Sequence, residues 1–257
     1  MTLRALVLAD IHANLEALHA VIEDAERRGG FDVIWCLGDT VGYGPDPVPC
    51  LDLLRQYSLV AVAGNHDHAA IGKRTIEDFN YAAAAAARWT AGQLTSEASA
   101  FLASLPSVAT AEPFTLVHGT LRDPISEYLL NQDAARSTLE LLRTRYCLVG
   151  HSHLPFLCLE EGGNPQFVEF PEDRPFELGE QRCIINPGCV GQPRDRDPRP
   201  SYALYDSQPS GTERMAITRH RVAYNISDTQ QKMRLAGLPQ VLIDRLDHGW
   251  RALPSSP

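Results

Sequence analysis

Metal-binding side chains recur in this chain directly after stretches that read as β-strands. In open α/β sheets, ligand sites gather beyond the carboxyl ends of the strands, so segments far apart in sequence can meet there. This pattern predicts an α/β fold whose strand ends converge on one site. Five short segments carry it: Asp10-Ile11-His12, Gly38-Asp39, Gly64-Asn65-His66-Asp67, His118-Gly119 and Gly150-His151-Ser152-His153.

The first part of the chain alternates strand-like and helix-like patterns, as expected of a layered α/β domain. It predicts strands over 3–9, 32–37, 59–63, 114–117 and 146–149, and helices over 14–28, 47–57, 75–104 and 133–144. Short segments separated by Gly and Pro turns follow, which predicts a second, more antiparallel sheet from 155–159, 166–170, 183–185, 202–205 and 214–222. Closing helices are expected over 226–236 and 240–250. Without an internal repeat or a long linker, residues 1–257 are predicted to form a single domain.

Composition narrows the functional classes. The 257 residues are 44% apolar, as is usual for a packed globular protein, and the formal net charge is −9. An acidic chain lacks the clustered Lys and Arg that bind nucleic-acid backbones or anionic membranes. Six scattered cysteines without a Cys-x-x-Cys pair, and no secretory leader or membrane-length apolar run, predict a cytoplasmic protein with reduced thiols.

The five segments contain oxygen and imidazole ligands, a set that suits Mn²⁺, Fe or Zn²⁺. If the segments are extended, Asp10 and His12 lie on one side of the chain, as do His151 and His153. Asp39, at a strand end, is positioned to bridge two ions with its two oxygens. Two ions roughly 3.5–4 Å apart would hold a readily deprotonated water between them, and that hydroxide would be the nucleophile.

As an ordered set, these segments resemble the motifs of the calcineurin-like metallophosphoesterases over about residues 3–190. The resemblance implies an α/β fold, a four-layer α/β/β/α sandwich of two mixed sheets flanked by helices. It also implies two ligand sets that share one carboxylate: Asp10, His12, Asp39 and His153 for one ion, and Asp39, Asn65, His118 and His151 for the other.

The resemblance further implies that His66, which is not itself a ligand, contacts the phosphate and protonates the leaving oxygen. We group Asp67 with His66 as a catalytic residue, with the role of steadying the local loop. His68 is expected in a loop or supporting position. The remaining histidines, His19, His220 and His248, lack ligand-like neighbours and are expected at the surface or in packing.

Two loops are candidates for substrate binding. Tyr43 lies in a Gly- and Pro-rich loop after Asp39, where it either belongs to a simple turn or leans over the metals. The loop 186–194 resembles the Asn-Pro-Gly-Ser segment of prokaryotic family members, with Cys189 in place of Ser as a small packed residue. Arg194 and Arg199 can bind a phosphate oxygen or form surface ion pairs with the neighbouring aspartates.

The residues after Asp39 bear on the substrate. Protein phosphatases and symmetrical dinucleoside tetraphosphatases typically continue this motif into Asp-Arg-Gly, which is absent here, so the chain looks more like the small prokaryotic phosphodiesterase-type members. We expect a small phosphate ester as substrate, a phosphodiester first, with phosphomonoesters, phosphoproteins and dinucleoside polyphosphates as alternatives. A different kind of function is also considered, a metal-binding scaffold without catalytic activity. The presence of His66 argues against it, because a degenerate member would be expected to lose this residue. Oligomeric state stays open.

Overall fold

Two mixed six-stranded sheets organise the computed structural model, which describes residues 2–209 and 214–250. The first sheet has the order β3-β2-β1-β11-β12-β9, and the second has the order β4-β5-β6-β10-β7-β8. The strands are β1 (Arg4–Leu8), β2 (Val33–Cys36), β3 (Leu59–Ala61), β4 (Val108–Ala111), β5 (Phe114–Val117), β6 (Tyr146–Leu148), β7 (Phe156–Glu161), β8 (Asn164–Val168), β9 (Pro175–Glu177), β10 (Cys183–Asn186), β11 (Ser201–Asp206) and β12 (Ala216–Arg221).

Helices connect and cover these strands. They are α1 (Leu15–Arg27), α2 (Pro47–Leu54), α3 (Asn65–Ala70), α4 (Tyr81–Gln93), α5 (Ser96–Ser104), α6 (Gln132–Leu141), α7 (Ile226–Leu235) and α8 (Gln240–Asp244), with a 3₁₀ turn at Arg245–Asp247. Several begin at a side-chain cap. The Asn14 side chain, for example, accepts the backbone N–H of Ala17 at 3.1 Å at the start of α1. Among the described residues, no helix has the length and apolarity needed to cross a membrane.

Both faces of each sheet are apolar, and each face packs against another layer. Trp35 and Tyr205 of the first sheet pack against Phe114 of the second, in an apolar layer between the two sheets. The outer face of the first sheet packs on α1, and the outer face of the second packs on α6. This arrangement is the predicted α/β/β/α sandwich.

The parallel strands direct their carboxyl ends to one edge of each sheet. In the first sheet β1, β2 and β3 run parallel, and in the second β5, β6 and β10 run parallel. The candidate motifs follow β1, β2, β3, β5 and β6. The sandwich therefore brings loops from both sheets together.

The predicted division of strands between the sheets was wrong. The segments predicted at 202–205 and 214–222 form β11 and β12, and β11 pairs antiparallel with β1 in the first sheet. The second sheet instead combines β5 and β6, from the alternating part of the chain, with β7, β8 and β10. The predicted helix over 75–104 is also two helices, because the backbone leaves the helical conformation at Leu94 and Thr95 caps α5.

Candidate metal centre

Five of the seven predicted ligands lie in tight loops with left-handed backbone, and not in extended segments as we expected. Their φ angles are 56° for Asp10, 49° for His12, 52° for Asp39, 65° for His151 and 60° for His153. Non-glycine residues rarely adopt this conformation, and clusters of such residues occur at functional sites. Strained turns, and not the alternation of an extended strand, therefore direct the side chains of the Asp-x-His and His-x-His segments.

Asp10, His12 and His153 form a first cluster, in which the three potential ligand atoms lie within 4.8 Å of one another. The Nε2 atoms of His12 and His153 are 3.1 Å apart, and His153 Nε2 is 3.5 Å from Asp10 Oδ1. Asp10 Oδ1 also accepts the backbone N–H of His151, whereas Asp10 Oδ2 is buried without a hydrogen-bond partner. These residues are three of the four that the resemblance assigns to one ion.

A second cluster of the same size contains Asp39, His118 and His151. His118 Nε2 lies 3.1 Å from His151 Nδ1 and 3.1 Å from Asn65 Oδ1. Asp39 Oδ2 faces both clusters, at 3.4 Å from His118 Nε2 and 3.7 Å from His12 Nε2. One oxygen of Asp39 thus lies between the clusters, and not both oxygens as we expected, because Oδ1 accepts the backbone N–H of His66.

A backbone carbonyl orients each histidine of the two clusters. His12 Nδ1 lies 3.2 Å from the oxygen of Val41, and the Nδ1 atoms of His118 and His153 are 2.8 and 2.7 Å from the carbonyls of Leu37 and Gln192. His151 is turned the other way, with Nε2 3.0 Å from the oxygen of Ser126. Since a carbonyl only accepts, each of these ring nitrogens donates, and the other nitrogen of each neutral ring presents a lone pair to its cluster.

These donor sets fit a bound cation. In neutral rings the facing nitrogens of His12 and His153 are both acceptors, as are those of His118 and His151, and no hydrogen bond can join them. A divalent ion satisfies such converging acceptors, together with the unpartnered Asp10 Oδ2. The ligand set contains oxygen and imidazole donors and no cysteine, so it is compatible with Mn²⁺, Fe and Zn²⁺.

The charges of the site reinforce one another. Burial opposes ionisation of Asp39, yet the surrounding His118, His66 and His12 hold the pKa of its carboxyl well below the usual value. Burial likewise opposes charge on His118, but the carboxylates of Asp39 and Asp10 raise its pKa to about 9. Both shifts arise from the same carboxylate–imidazole contacts within the two clusters.

His66 and Asp67 begin α3, beside these clusters. The backbone N–H of His66 donates to Asp39 Oδ1 at 2.8 Å, and its Nδ1 is buried without a partner. Burial lowers the pKa of His66 to about 4. Asp67 accepts backbone N–H groups with both oxygens, from Val41 at 3.1 Å and Gly64 at 2.9 Å, and so ties two loops of the site together. The loop-steadying role of Asp67 stays a prediction, which this contact supports.

The predicted substrate-binding residues take different positions. The buried ring of Tyr43 packs against the rings of His12 and His66, with centroids 4.6 and 4.3 Å away, so Tyr43 leans against the site. Arg194 is close enough to influence the pKa values of several cluster residues, and its Nη2 is 3.5 Å from the Tyr43 hydroxyl. Arg199 forms ion pairs with Asp197 and Glu172, which was the alternative predicted for it.

Sequence reasoning missed two contributors to the site, the Tyr128 ring and the Asn186 amide, whereas it had named Cys189. The Tyr128 ring stacks on His151, with centroids 3.8 Å apart and planes 7° apart, but its loop has no periodic pattern. The Asn186 amide donates to the Gly150 carbonyl at 2.9 Å and supports the turn before His151. The Cys189 thiol, fully buried as predicted for a small packed residue, donates to the Asp10 carbonyl at 3.2 Å.

The other histidines lie outside both clusters. His68 is half-buried on α3, and His19 and His248 are exposed. His220 is buried, with its ring 2.6 Å from Asp173. The surface and packing positions predicted for His19, His220 and His248 are therefore correct.

Comparison with known proteins places this site in a family. The family model described as the calcineurin-like phosphoesterase superfamily domain matches residues 3–210. The chain belongs to this family. Like its members, this calcineurin-like phosphoesterase is a metal-dependent hydrolase of phosphoric esters, and the family and the two Asp/His clusters together suggest two divalent ions.

Three similar proteins come from bacteria and archaea. The chain is 36% identical over 247 residues to an uncharacterised protein of Methanocaldococcus jannaschii, covering 93% of this chain and 96% of that protein. A crystal structure of a metallophosphoesterase from Sphaerobacter thermophilus is 42% identical, with a TM-score of 0.85 over 97% of this chain and 100% of the other. A hypothetical protein from Pyrococcus horikoshii shares the fold at 19% identity, with a TM-score of 0.77 over 97% and 99% of the two chains.

Proposed function

We propose that this calcineurin-like phosphoesterase hydrolyses a phosphodiester at a centre of two divalent ions. The observation that carries the proposal is the position of Asp39 Oδ2, which faces His118 Nε2 at 3.4 Å and His12 Nε2 at 3.7 Å. One carboxylate between two otherwise complete clusters is what a two-ion site requires. Two ions, when bound, supply an activated water as nucleophile and neutralise the charge of the phosphoryl oxygens.

The protein holds and orients the groups. Asp10, His12 and His153 would bind one ion, and Asn65, His118 and His151 would bind the other, with Asp39 shared. The carbonyls behind the imidazoles keep a lone pair of each ring directed at its cluster. The backbone N–H of His66 donates a hydrogen bond to Oδ1 of Asp39 and so fixes the plane of the shared carboxylate.

His66 is the proposed acid for the leaving oxygen. Its ring lies 5.0 Å from the ring of His12, outside both clusters, and its Nδ1 makes no hydrogen bond. Burial alone favours the neutral ring, but the negative charge of a bound ester stabilises the imidazolium and raises its pKa. Arg194, the nearby half-buried cation, would hold a phosphoryl oxygen in two hydrogen bonds.

The absence of the Asp-Arg-Gly continuation after Asp39 supports a diester in preference to a monoester. The chain here reads Gly38-Asp39-Thr40-Val41-Gly42-Tyr43-Gly44, so the arginine that grips phosphate in the phosphatase-type members is missing. A diester carries one negative charge, whereas a monoester carries nearly two. A diester therefore needs fewer cationic contacts. We further propose a small-molecule substrate and a cytoplasmic location, which the six free, buried cysteines support.

A substrate panel over several metals tests the proposal. Bis(p-nitrophenyl) phosphate and p-nitrophenyl phosphate are compared with Mn²⁺, Fe²⁺ and Zn²⁺, and higher kcat/KM is expected for the diester. His66→Ala should lose about 10²–10⁴-fold in kcat while it retains its metal. His68→Ala is the matched control, because His68 lies on the same helix outside both clusters. Faster hydrolysis of the monoester would refute the diester preference. Unchanged turnover in His66→Ala would refute the role of His66 as the acid for the leaving oxygen.

A further inference from the structure

A cavity of about 310 Å³ opens beside the candidate metal centre, within the usual size of a small-molecule site. The cavity lies next to both clusters, because its lining includes Ser152, which stands between His151 and His153 in the sequence. Its wall is mainly apolar and aromatic, with one cation. The lining residues are Tyr128, Leu130, Ser152, Leu154, Arg194 and Trp250.

Tyr128 offers a flat surface to this cavity. One face of its ring covers His151, the residue is 44% exposed, and Tyr128 lines the cavity, so part of its surface is open to a ligand there. Leu130, 52% exposed, extends the apolar surface. Two large apolar side chains exposed beside a catalytic site indicate a surface that becomes covered when substrate binds.

The cavity continues away from the metal centre. Leu130 and Leu154 also line a second cavity of about 550 Å³, whose wall includes the rings of Phe156 and Phe167. Asp195 and Arg219 also line it, and in each the side chain has a buried polar atom, Oδ1 and Nη1 respectively, without a hydrogen-bond partner. The two cavities adjoin at Leu130 and Leu154, and we call the pair the groove; its walls are aromatic, and Asp195 and Arg219 lie in the second cavity.

We propose that this groove is the specificity site for the organic substituent of the ester, and that the substituent is a nucleoside whose base stacks on Tyr128. The inference rests on the proposed phosphodiesterase function, since the phosphate must lie between the ions and Arg194. An alkyl chain would leave the flat face of Tyr128 and the charged groups of the second cavity unused. A planar base with hydrogen-bonding edges matches both.

Direct binding tests the groove without relying on turnover. The probes are phosphonomethoxyethyl-adenine and ethoxymethylphosphonate, which share an uncleavable phosphonate and differ in the base. Calorimetry with Mn²⁺-loaded protein should show about tenfold tighter binding of the adenine compound, in the range of single base–aromatic stacking contacts. Because both probes share the phosphonate, the ratio of the two Kd values isolates the base.

Two variants locate the effect. Tyr128→Ala should bring the ratio close to one, and Leu130→Asp should reduce it by placing a charge on the apolar wall. Tyr81→Ala, which removes an equal ring that is 84% exposed at the start of α4, should keep the full ratio. A ratio near one in the wild type, or a ratio that survives Tyr128→Ala, would overturn the inference. Base-dependent binding without diester hydrolysis would count against the proposed function alone.

Discussion

Replacing Asp67 by alanine is expected to destabilise the protein more than it changes the chemistry. The carboxylate is fully buried and accepts the N–H groups of Val41 and Gly64. Without it both donors stay buried and unpaired, at roughly 1–3 kcal/mol each, so the free energy of unfolding should fall by about 2–6 kcal/mol. Asp67→Asn keeps one acceptor and turns an NH₂ group toward the other donor, so about half that loss is expected.

Urea unfolding of metal-free protein, followed by circular dichroism, measures this loss. With an m-value of about 3 kcal/mol/M, a loss of about 4 kcal/mol lowers the midpoint by roughly 1.3 M. Asp52→Ala is the control, because the Asp52 side chain is 58% exposed and should change stability by less than about 0.5 kcal/mol. If Asp67→Ala unfolds like the wild type and yet loses turnover with full metal content, Asp67 acts in the chemistry and the bracing argument is wrong.

Three further predictions address the shared carboxylate, the two arginines and the acid range. Asp39→Asn should bind fewer than two ions per chain and lose turnover, since a neutral amide balances less charge; metal analysis showing two full ions would contradict the shared role. Arg194→Ala should raise KM for a diester by about tenfold or more, whereas Arg199→Ala should leave KM within about twofold, as steady-state kinetics will show. Despite partial burial, hydrogen bonds from Arg28 and Tyr202 lower the pKa of Asp24, so Tyr202→Phe should cost about 1 kcal/mol above roughly pH 4. That difference should shrink as the pH falls toward the lowered pKa, and a difference independent of pH in urea unfolding would contradict the assignment.

The location of the site could be predicted because its cause is local. A strand that ends in Asp10 or His151 carries its ligand wherever the strand lies, and parallel strands collect such ends at one edge. The backbone of these turns could not be predicted in the same way. Non-glycine residues normally avoid positive φ, and Asp10 and His12 are held there by a distant segment, because their N–H groups donate to the carbonyls of Gly38 and Asp39.

Sheet membership depends on contacts between distant parts of the chain. β11 reads as a short apolar strand, and nothing local distinguishes a partner in the first sheet from one in the second. In the structure Leu6 of β1 pairs with Leu204 of β11, from opposite ends of the chain. Tyr128 could not be predicted for a related reason. Its place at the site depends on its stacking with His151, which is distant in sequence.

The carbonyl contacts of the four cluster histidines have a thermodynamic consequence. Each ring is held by a main-chain oxygen, so its rotational entropy is lost when the chain folds and not when an ion arrives. Ion uptake therefore carries little ordering cost, unlike in domains that fold around their metal. One divalent ion can then replace another without rearrangement of the scaffold. The occupancy of the centre should accordingly follow the supply of ions that accept nitrogen and oxygen ligands.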